Sequence, residues 1–220
     1  MDKQTEKMFM IHTQLEEYHK HLLEAEQIIQ EVLLKSKKPY VAFSGGKDST
    51  VLLHLVLQQA PDITVFHFIW PENIMPKVIE REVMVNLRKI GAKNIICRTE
   101  RENTRGSGFF ASISELSKQG YDVSFIGLRK EESCRRKMRI KNNSFYTSIR
   151  EIYPIQDWTW KDVWGYIIQH HLPYPSVYDE YASVIGWDKA RFVSFFDPEF
   201  ERLGSLNVDG VFMWRYKNHI

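Results

Sequence analysis

Cysteine is scarce in this chain: two among 220 residues, Cys97 and Cys134. Two thiols cannot build a disulfide framework, nor supply four thiolates to a zinc or iron–sulfur site. The expectation is a reducing, cytoplasmic setting and no iron–sulfur cluster. Net charge is nearly absent too, with 30 Lys and Arg against 28 Asp and Glu, a formal +2. That balance implies no polyanionic partner by itself, so a claim on phosphate or nucleic acid must rest on local clustering. Long apolar runs are missing. Ile63 to Trp70 is interrupted by His67 and is far shorter than the roughly 20 residues of a membrane span. The opening MDKQTEKMFM has no apolar signal core, so neither export nor a membrane partner is expected. No internal repeat and no low-complexity tract is present.

What is there is a globular composition. Apolar residues make up 43% and aromatics 13%, which excludes a disordered chain. The length fits one domain with ample core. Ile11, Leu15, Tyr18, Leu22, Ala25, Ile29 and Val32 recur at alternating spacings of four and three. That single stripe predicts an amphipathic helix in residues 1–35, packed on its own domain or docked on a partner. Next, Pro39 to Phe43 is a short strand-type run that stops at Ser44-Gly45-Gly46, and a helix-compatible run follows from Asp48. Strand-type runs recur at 63–68, 94–97 and 123–127. Helical runs recur at 75–90, closed by Gly91, and at 109–119, closed by Gly120.

This alternation predicts an α/β fold, a parallel twisted sheet with helices on both faces and right-handed crossovers. Ligands in such sheets sit beyond the carboxyl ends of the strands, which singles out the loops 44–49 and 127–141. After residue 145 aromatics become dense. Thr159 and Asp162 fit a capping pattern that starts a helix through about His170, and Pro173 and Pro175 break it. The adjacent His170 and His171 read as a helix end, and the histidines show no metal-ligand spacing. We therefore expect a single domain over 1–220: an N-terminal helix at 1–35, an α/β core at 38–145 that carries the loop after the first strand, and an irregular aromatic-rich extension at 146–220.

Ser44-Gly45-Gly46-Lys47-Asp48-Ser49 is the strongest chemical signal. Two glycines after a strand let the backbone turn tightly and bring N–H groups to an anion. The following helix points its positive end at the same place. Lys47 adds a charge, and Ser44, Ser49 and Thr50 add hydroxyls, a set suited to a diphosphate or triphosphate. It is not a Walker A loop, because Val41 stands at the first Gly and Asp48 at the hydroxyl. An acid in a phosphate cradle needs a cation, so Asp48 is a candidate Mg²⁺ contact or a helix cap. The string resembles the PP-loop of the adenine nucleotide α-hydrolase-like superfamily, the N-type ATP pyrophosphatases. That resemblance implies ATP or a related adenylyl ligand, with Mg²⁺ accompanying ATP.

A second cluster follows the fourth strand. From Arg129 to Lys141 there are seven basic residues and two acidic ones. Guanidinium groups at a sheet's ligand edge suit sulfate, phosphate or carboxylate. Gly127-Leu-Arg-x-x-Glu-Ser-x-x-Arg136 resembles the second motif of the phosphoadenylyl sulfate reductase family. Pro154-Ile155, Asp157-Trp-Thr159, Asp162-Val-Trp164 and Tyr178-Asp179 resemble its third block. The resemblance implies an adenylyl-binding domain in which Gly127 and Arg129 join the nucleotide loop. It implies that Arg129, Glu132, Ser133 and Arg136 face a sulfate or an acceptor, with Lys47, Asp48 and Arg129 as the catalytic set.

The sequence also departs from that family. The tail Trp214 to Ile220 lacks the reductase cysteine, and Phe68-Ile-Trp-Pro-Glu-Asn73 replaces the usual Asp-Thr-Gly after the second strand. Cys134, among Arg135, Arg136 and Lys137, is the one candidate for a reactive thiolate, and Cys97 reads as core. The expectation is an ATP pyrophosphatase or adenylyl-transferring enzyme cleaving the α–β phosphate bond, with an unidentified acceptor. The alternatives are a sulfonucleotide reductase and a non-catalytic nucleotide-binding subunit. A protein partner or homo-oligomer, and more weakly a nucleic acid, remain open as partners.

Overall fold

Five parallel strands and eight α-helices make up the described part of a computed structural model, which covers residues 1–71, 75–99, 107–141 and 149–190. In chain order they are α1 (Lys3–His12), α2 (Glu16–Lys35), β1 (Pro39–Phe43), α3 (Lys47–Gln59), β2 (Thr64–Ile69), α4 (Lys77–Ile90), β3 (Asn94–Thr99) and α5 (Ser107–Lys118). Then come β4 (Val123–Ile126), a 3₁₀ turn (Lys130–Glu132), α6 (Cys134–Lys141), β5 (Arg150–Ile152), α7 (Trp160–Gln169) and α8 (Val177–Ile185). The sheet order is β3-β2-β1-β4-β5, with Phe43 opposite His67 and Val41 opposite both Val65 and Phe125. The chain thus builds outward from β1 on one side, then returns to build on the other. The point where it reverses lies between β1 and β4.

The strand alternation sorts side chains onto two faces. Val41, Phe43, Val65, Val123 and Phe125 face the larger core with α2, α3, α4 and α7. Tyr40, Phe66 and Phe68 face a smaller core with Ile113 and Leu116 of α5. Helix α3 is apolar nearly all round, with Val51, Leu52, Leu53, Leu55 and Val56 buried, as a helix sandwiched between sheet and outer helices must be. Each such side chain stabilises the fold by about 1.5–3 kcal/mol.

The N-terminal stripe is broken where the sequence predicted one helix. The chain turns at residues 13–15, where Thr13 is buried and its hydroxyl donates to the Met10 carbonyl at 2.8 Å. Ile11 and Leu15 are consequently 59% and 48% exposed, whereas Tyr18, Ala25, Ile29 and Val32 are buried as the period requires. The stripe is two helices read in one phase. β5 is a further correction. Three residues, Arg-Glu-Ile, carry too little pattern to show as a strand, yet they extend the sheet beside β4 and carry it past the expected core boundary at 145. The Thr159–Asp162 cap forms as the spacing predicts, with reciprocal hydrogen bonds between side chains and backbone. His170 stands at the end of α7, and His171 follows with a left-handed φ of 51°. No helix among the described residues is long and apolar enough to cross a membrane.

Candidate functional site

The loop from Ser44 to Ser49 leaves β1 at the reversal point of the sheet and runs straight into α3. Gly45 holds a φ of +86°, and a Cβ there would sit 2.6 Å from both methyls of Val83 on α4. Gly127 follows β4 and lies against the first turn of α3. A Cβ on it would lie 2.9 Å from the Asp48 carbonyl carbon and oxygen. That is backbone, which cannot move aside as a side chain can. The two loops are therefore seated on one another by glycine.

Inside the loop, the Ser44 amide and hydroxyl donate to Ser49 Oγ at 3.3 and 3.1 Å, and Ser49 Oγ donates to the Gly46 carbonyl at 2.9 Å. Gly46 caps α3 without a side-chain bond. The Lys47 amide donates to the Tyr178 hydroxyl of α8 at 3.0 Å. Lys47 is only 2% exposed; its ammonium lies 3.2 Å from Asp48 Oδ2 and 5.7 Å from the centre of the Tyr178 ring. Burial lowers its pKa, and the Arg129 charge adds to that, against the pull of Asp48.

Asp48 is neither a cap nor free to bind a metal. Its Oδ1 accepts from Arg129 Nε at 2.5 Å while Oδ2 faces Lys47. Burial alone would raise its carboxyl pKa, but Arg129 and Lys47 outweigh burial and hold it well below the usual range. The donor set does not fit a protein-bound Mg²⁺. Both oxygens of Asp48 already face cations, and among the described residues no group of three His, Cys, Asp or Glu side chains could hold a metal ion. The reason is topological: Asp48 points across the sheet's carboxyl edge to the loop after β4, which supplies its cation.

The basic segment is also turned inward. Arg129, 3% exposed, donates to Asp48, to Glu131 Oε2 at 2.6 Å and to the Trp158 carbonyl at 3.2 Å. Glu131 in turn accepts from the Trp160 amide at 2.6 Å, at the start of α7. Glu132, expected to face the acceptor, instead accepts from the Arg129 amide at 3.3 Å and pairs with Arg136. A carboxylate so placed orients cations and would repel an anion. Ser133 Oγ accepts from the Arg136 amide at 3.1 Å, which caps the start of α6. Arg139 donates to the buried Glu151 of β5 at 2.5 Å. Arg136 remains partly exposed, and Lys137 and Lys141 are exposed.

The structure thus brings Ser44, Gly45, Gly46, Lys47, Asp48, Ser49, Gly127 and Arg129 together, and places Glu132, Ser133 and Arg136 one turn beyond. Cys134 is exposed at the start of α6. Cys97 is half-buried in β3, and burial raises its thiol pKa. The tail 191–220 lies outside the described residues. Two participants escaped the sequence reading. Tyr178 is core, as its aromatic setting predicts, but nothing in its local pattern announces the contact of its hydroxyl with residue 47. His67 lies under the loop, its Nδ1 2.8 Å from the Phe43 carbonyl and its Nε2 2.7 Å from Glu80. It looked like an interruption in an apolar run.

Comparison with known proteins agrees with this geometry. The phosphoadenosine phosphosulfate reductase domain matches residues 38–208. An adenosine 5'-phosphosulfate reductase from Bacillus cereus (strain Q1) is 30% identical over 168 residues, 67% of this chain and 70% of that one. A sulfate adenylyltransferase subunit 2 from Geotalea uraniireducens (strain Rf4) is 29% identical over 212 residues, 76% of this chain and 68% of that one. Among solved structures, a phosphoadenylyl-sulfate reductase from Candida auris shares the fold, with a TM-score of 0.51 and 14% identity over 71% of this chain and 84% of that one. The loop at the sheet's reversal point, the arginine motif after β4 and the match across residues 38–208 converge, and the chain belongs to the phosphoadenosine phosphosulfate reductase family.

Proposed function

We propose that this chain binds ATP with its phosphates on the Ser44–Ser49 loop and transfers the adenylyl group to an anionic acceptor. The single observation that carries this reading is the loop itself. It joins β1 to the N-terminus of α3 at the switch point, where backbone amides and the helix dipole favour a polyphosphate. In the reaction, an acceptor oxygen attacks the α-phosphorus. The bond from that phosphorus to the α–β bridging oxygen breaks, and pyrophosphate leaves with the electron pair. The chain's contribution is positional and electrostatic. The α3 amides and Lys47 offset charge on the leaving pyrophosphate. Asp48 and Arg129 hold Lys47 and the β4 loop in place, and Arg136 with the exposed Lys137 holds the acceptor. Mg²⁺ enters this proposal as a companion of the nucleotide's own phosphates, since the protein's donors are otherwise engaged.

The relatives support an oxyanion as the acceptor class, and one of them is named a sulfate adenylyltransferase subunit. That name also supports a partner subunit for this chain. The test is pyrophosphate release from ATP in the presence of sulfate, for the wild type and for Lys47→Met, which keeps side-chain bulk without the charge. Sulfate-dependent release that falls at least about tenfold in the variant is expected, the loss of one charge-assisted contact. Equal turnover by the two proteins would contradict the assignment. Release of sulfite from an adenylyl sulfate with a thiol donor, and no pyrophosphate from ATP, would replace it with the reductase reading, which the reductase relative supports.

A further inference from the structure

His67 is a buried titratable side chain to which the proposed mechanism gives no part. It lies within β2, one pleat from Val65 and on the face of the larger core, and its side chain is 2% exposed. Nδ1 is 2.8 Å from the Phe43 carbonyl and Nε2 is 2.7 Å from Glu80 Oε1. A carbonyl only accepts, so Nδ1 carries a proton and donates it there. The partner of Nε2 is a carboxyl group, and a hydrogen bond between the two needs a second proton. An imidazole is a stronger base than a carboxylate, so that proton belongs to Nε2. Both ring nitrogens then donate, and the ring is an imidazolium. Of its register partners, Phe43 is apolar and Cys97 is a thiol whose pKa burial raises. Glu80 is thus the counterion. Its Oε2 is buried and has no hydrogen-bond partner among the described residues, which leaves His67 to balance the carboxylate.

The ring reaches the loop through one peptide plane. The Phe43 carbonyl and the Ser44 amide belong to the same planar unit, so a bond that fixes the first fixes the direction of the second. The Ser44 amide donates to Ser49 Oγ, which donates in turn to the Gly46 carbonyl. Helix α4 holds the loop from the same side. Glu80 and Val83 are three residues apart and share a face of that helix, and Val83 is the side chain against which Gly45 is seated. One face of α4 therefore governs both the backbone of the loop and the charge beneath it.

We propose that His67, as an imidazolium paired with Glu80, is a positioning residue of the phosphate loop: it fixes the Phe43–Ser44 peptide and sets a buried positive charge beneath the bound phosphates. The proposal rests on the nucleotide reading above and deepens it. Two measurements test it. Nitrogen NMR of the histidine-labelled wild type near neutral pH should show a ring with both nitrogens protonated, and that signal should vanish in His67→Asn. A His67 ring with one bare nitrogen overturns the proposal. Inorganic tripolyphosphate and ATP are then each titrated calorimetrically into the wild type, Glu80→Gln and His67→Asn. The glutamine can donate to Nε2, so it keeps the ring in place and removes the charge. The asparagine can donate to the Phe43 carbonyl as Nδ1 does, again without the charge. Both variants should lose about fivefold in affinity, equally for the two ligands, because the charge acts on phosphate. His67→Leu, which loses the bond as well, should lose more. Unchanged affinity in Glu80→Gln overturns the proposal while the nucleotide reading stands. A wild type that binds neither ligand overturns the nucleotide reading itself, whatever the spectrum shows.

Discussion

Asp48 shows how one largely buried carboxylate joins two loops. It bridges Lys47 and Arg129, both almost wholly buried, so its removal leaves two cations with too little countercharge. Asp48→Asn should cost about 3–5 kcal/mol in urea unfolding, the usual penalty for breaking a buried pair on one side. Its pH signature has a definite sign. The folded pKa lies below the ordinary carboxylate value of 3.8, so the carboxylate's stabilisation is present above that value and lost as pH falls beneath it. The acid limb of the stability curve below about pH 4 should therefore be shallower in Asp48→Asn than in the wild type. Identical limbs would show that the bridge is absent in solution. Gly127→Ala tests the seat of the β4 loop. Its new methyl would meet the Asp48 backbone at 2.9 Å, and overpacking of that kind costs about 1–3 kcal/mol. An alanine variant as stable as the wild type would refute the close approach. At this scale the sequence announced the residues but not all their roles. The glycines and Lys47 were legible because a strand, two glycines and a helix start have one geometric meaning. Asp48's partner is 81 residues away, and no local pattern reports such a pairing.

Helix α7 is the element that ties the N-terminal pair to the core. Asp162, its cap partner, also receives His12 Nε2 at 2.7 Å and His21 Nδ1 at 3.0 Å, one histidine from each N-terminal helix. Burial would raise the Asp162 pKa, but the Thr159 amide and both histidines outweigh it and leave the carboxyl lowered. The cap was readable from Thr159-x-x-Asp162. Its second use was not, because the histidines lie 150 and 141 residues upstream and bear no helical spacing to it. Asp162→Ala should lose at least about 1 kcal/mol from the cap alone. It should also loosen α1 and α2 selectively, so their amides exchange faster than those of β1 and α3 in hydrogen-exchange mass spectrometry. Uniform exchange across the chain would mean that the histidine contacts contribute nothing. The N-terminal stripe shows why an element's boundary is harder to read than its existence. The period of 3.6 passes through the turn at 13–15 without a break in polarity, and only the burial of Thr13 marks the join.

Across the whole molecule, the order β3-β2-β1-β4-β5 places both chemically distinctive loops at one edge. That arrangement was legible, since strands alternating with helices leave few parallel topologies. Only β5 escaped, for want of length. A pH response remote from the loop is also expected. His54 and His170 lie with rings 5.2 Å apart, and the His54 Nδ1 is 2.8 Å from the Tyr166 hydroxyl. Burial lowers the pKa of both, and the His170 charge lowers that of His54 further. The unfolded chain therefore binds more protons just below the ordinary histidine value of about 6.5, and stability should rise with pH through that window. His54→Gln should flatten this rise in thermal unfolding between about pH 5 and 6.5; an unchanged slope would place the histidines outside the linkage.

On the proposed function, the loop after β1 holds the phosphates of an adenine nucleotide, with Lys47 as its buried charge. The most direct measurement is a calorimetric titration of the full chain with ATP and Mg²⁺, and separately with phosphoadenylyl sulfate, for the wild type and Lys47→Met. Saturable one-site ATP binding that weakens at least about tenfold in the variant is expected. ATP binding of equal strength in both proteins, or binding of the sulfonucleotide alone, would contradict it.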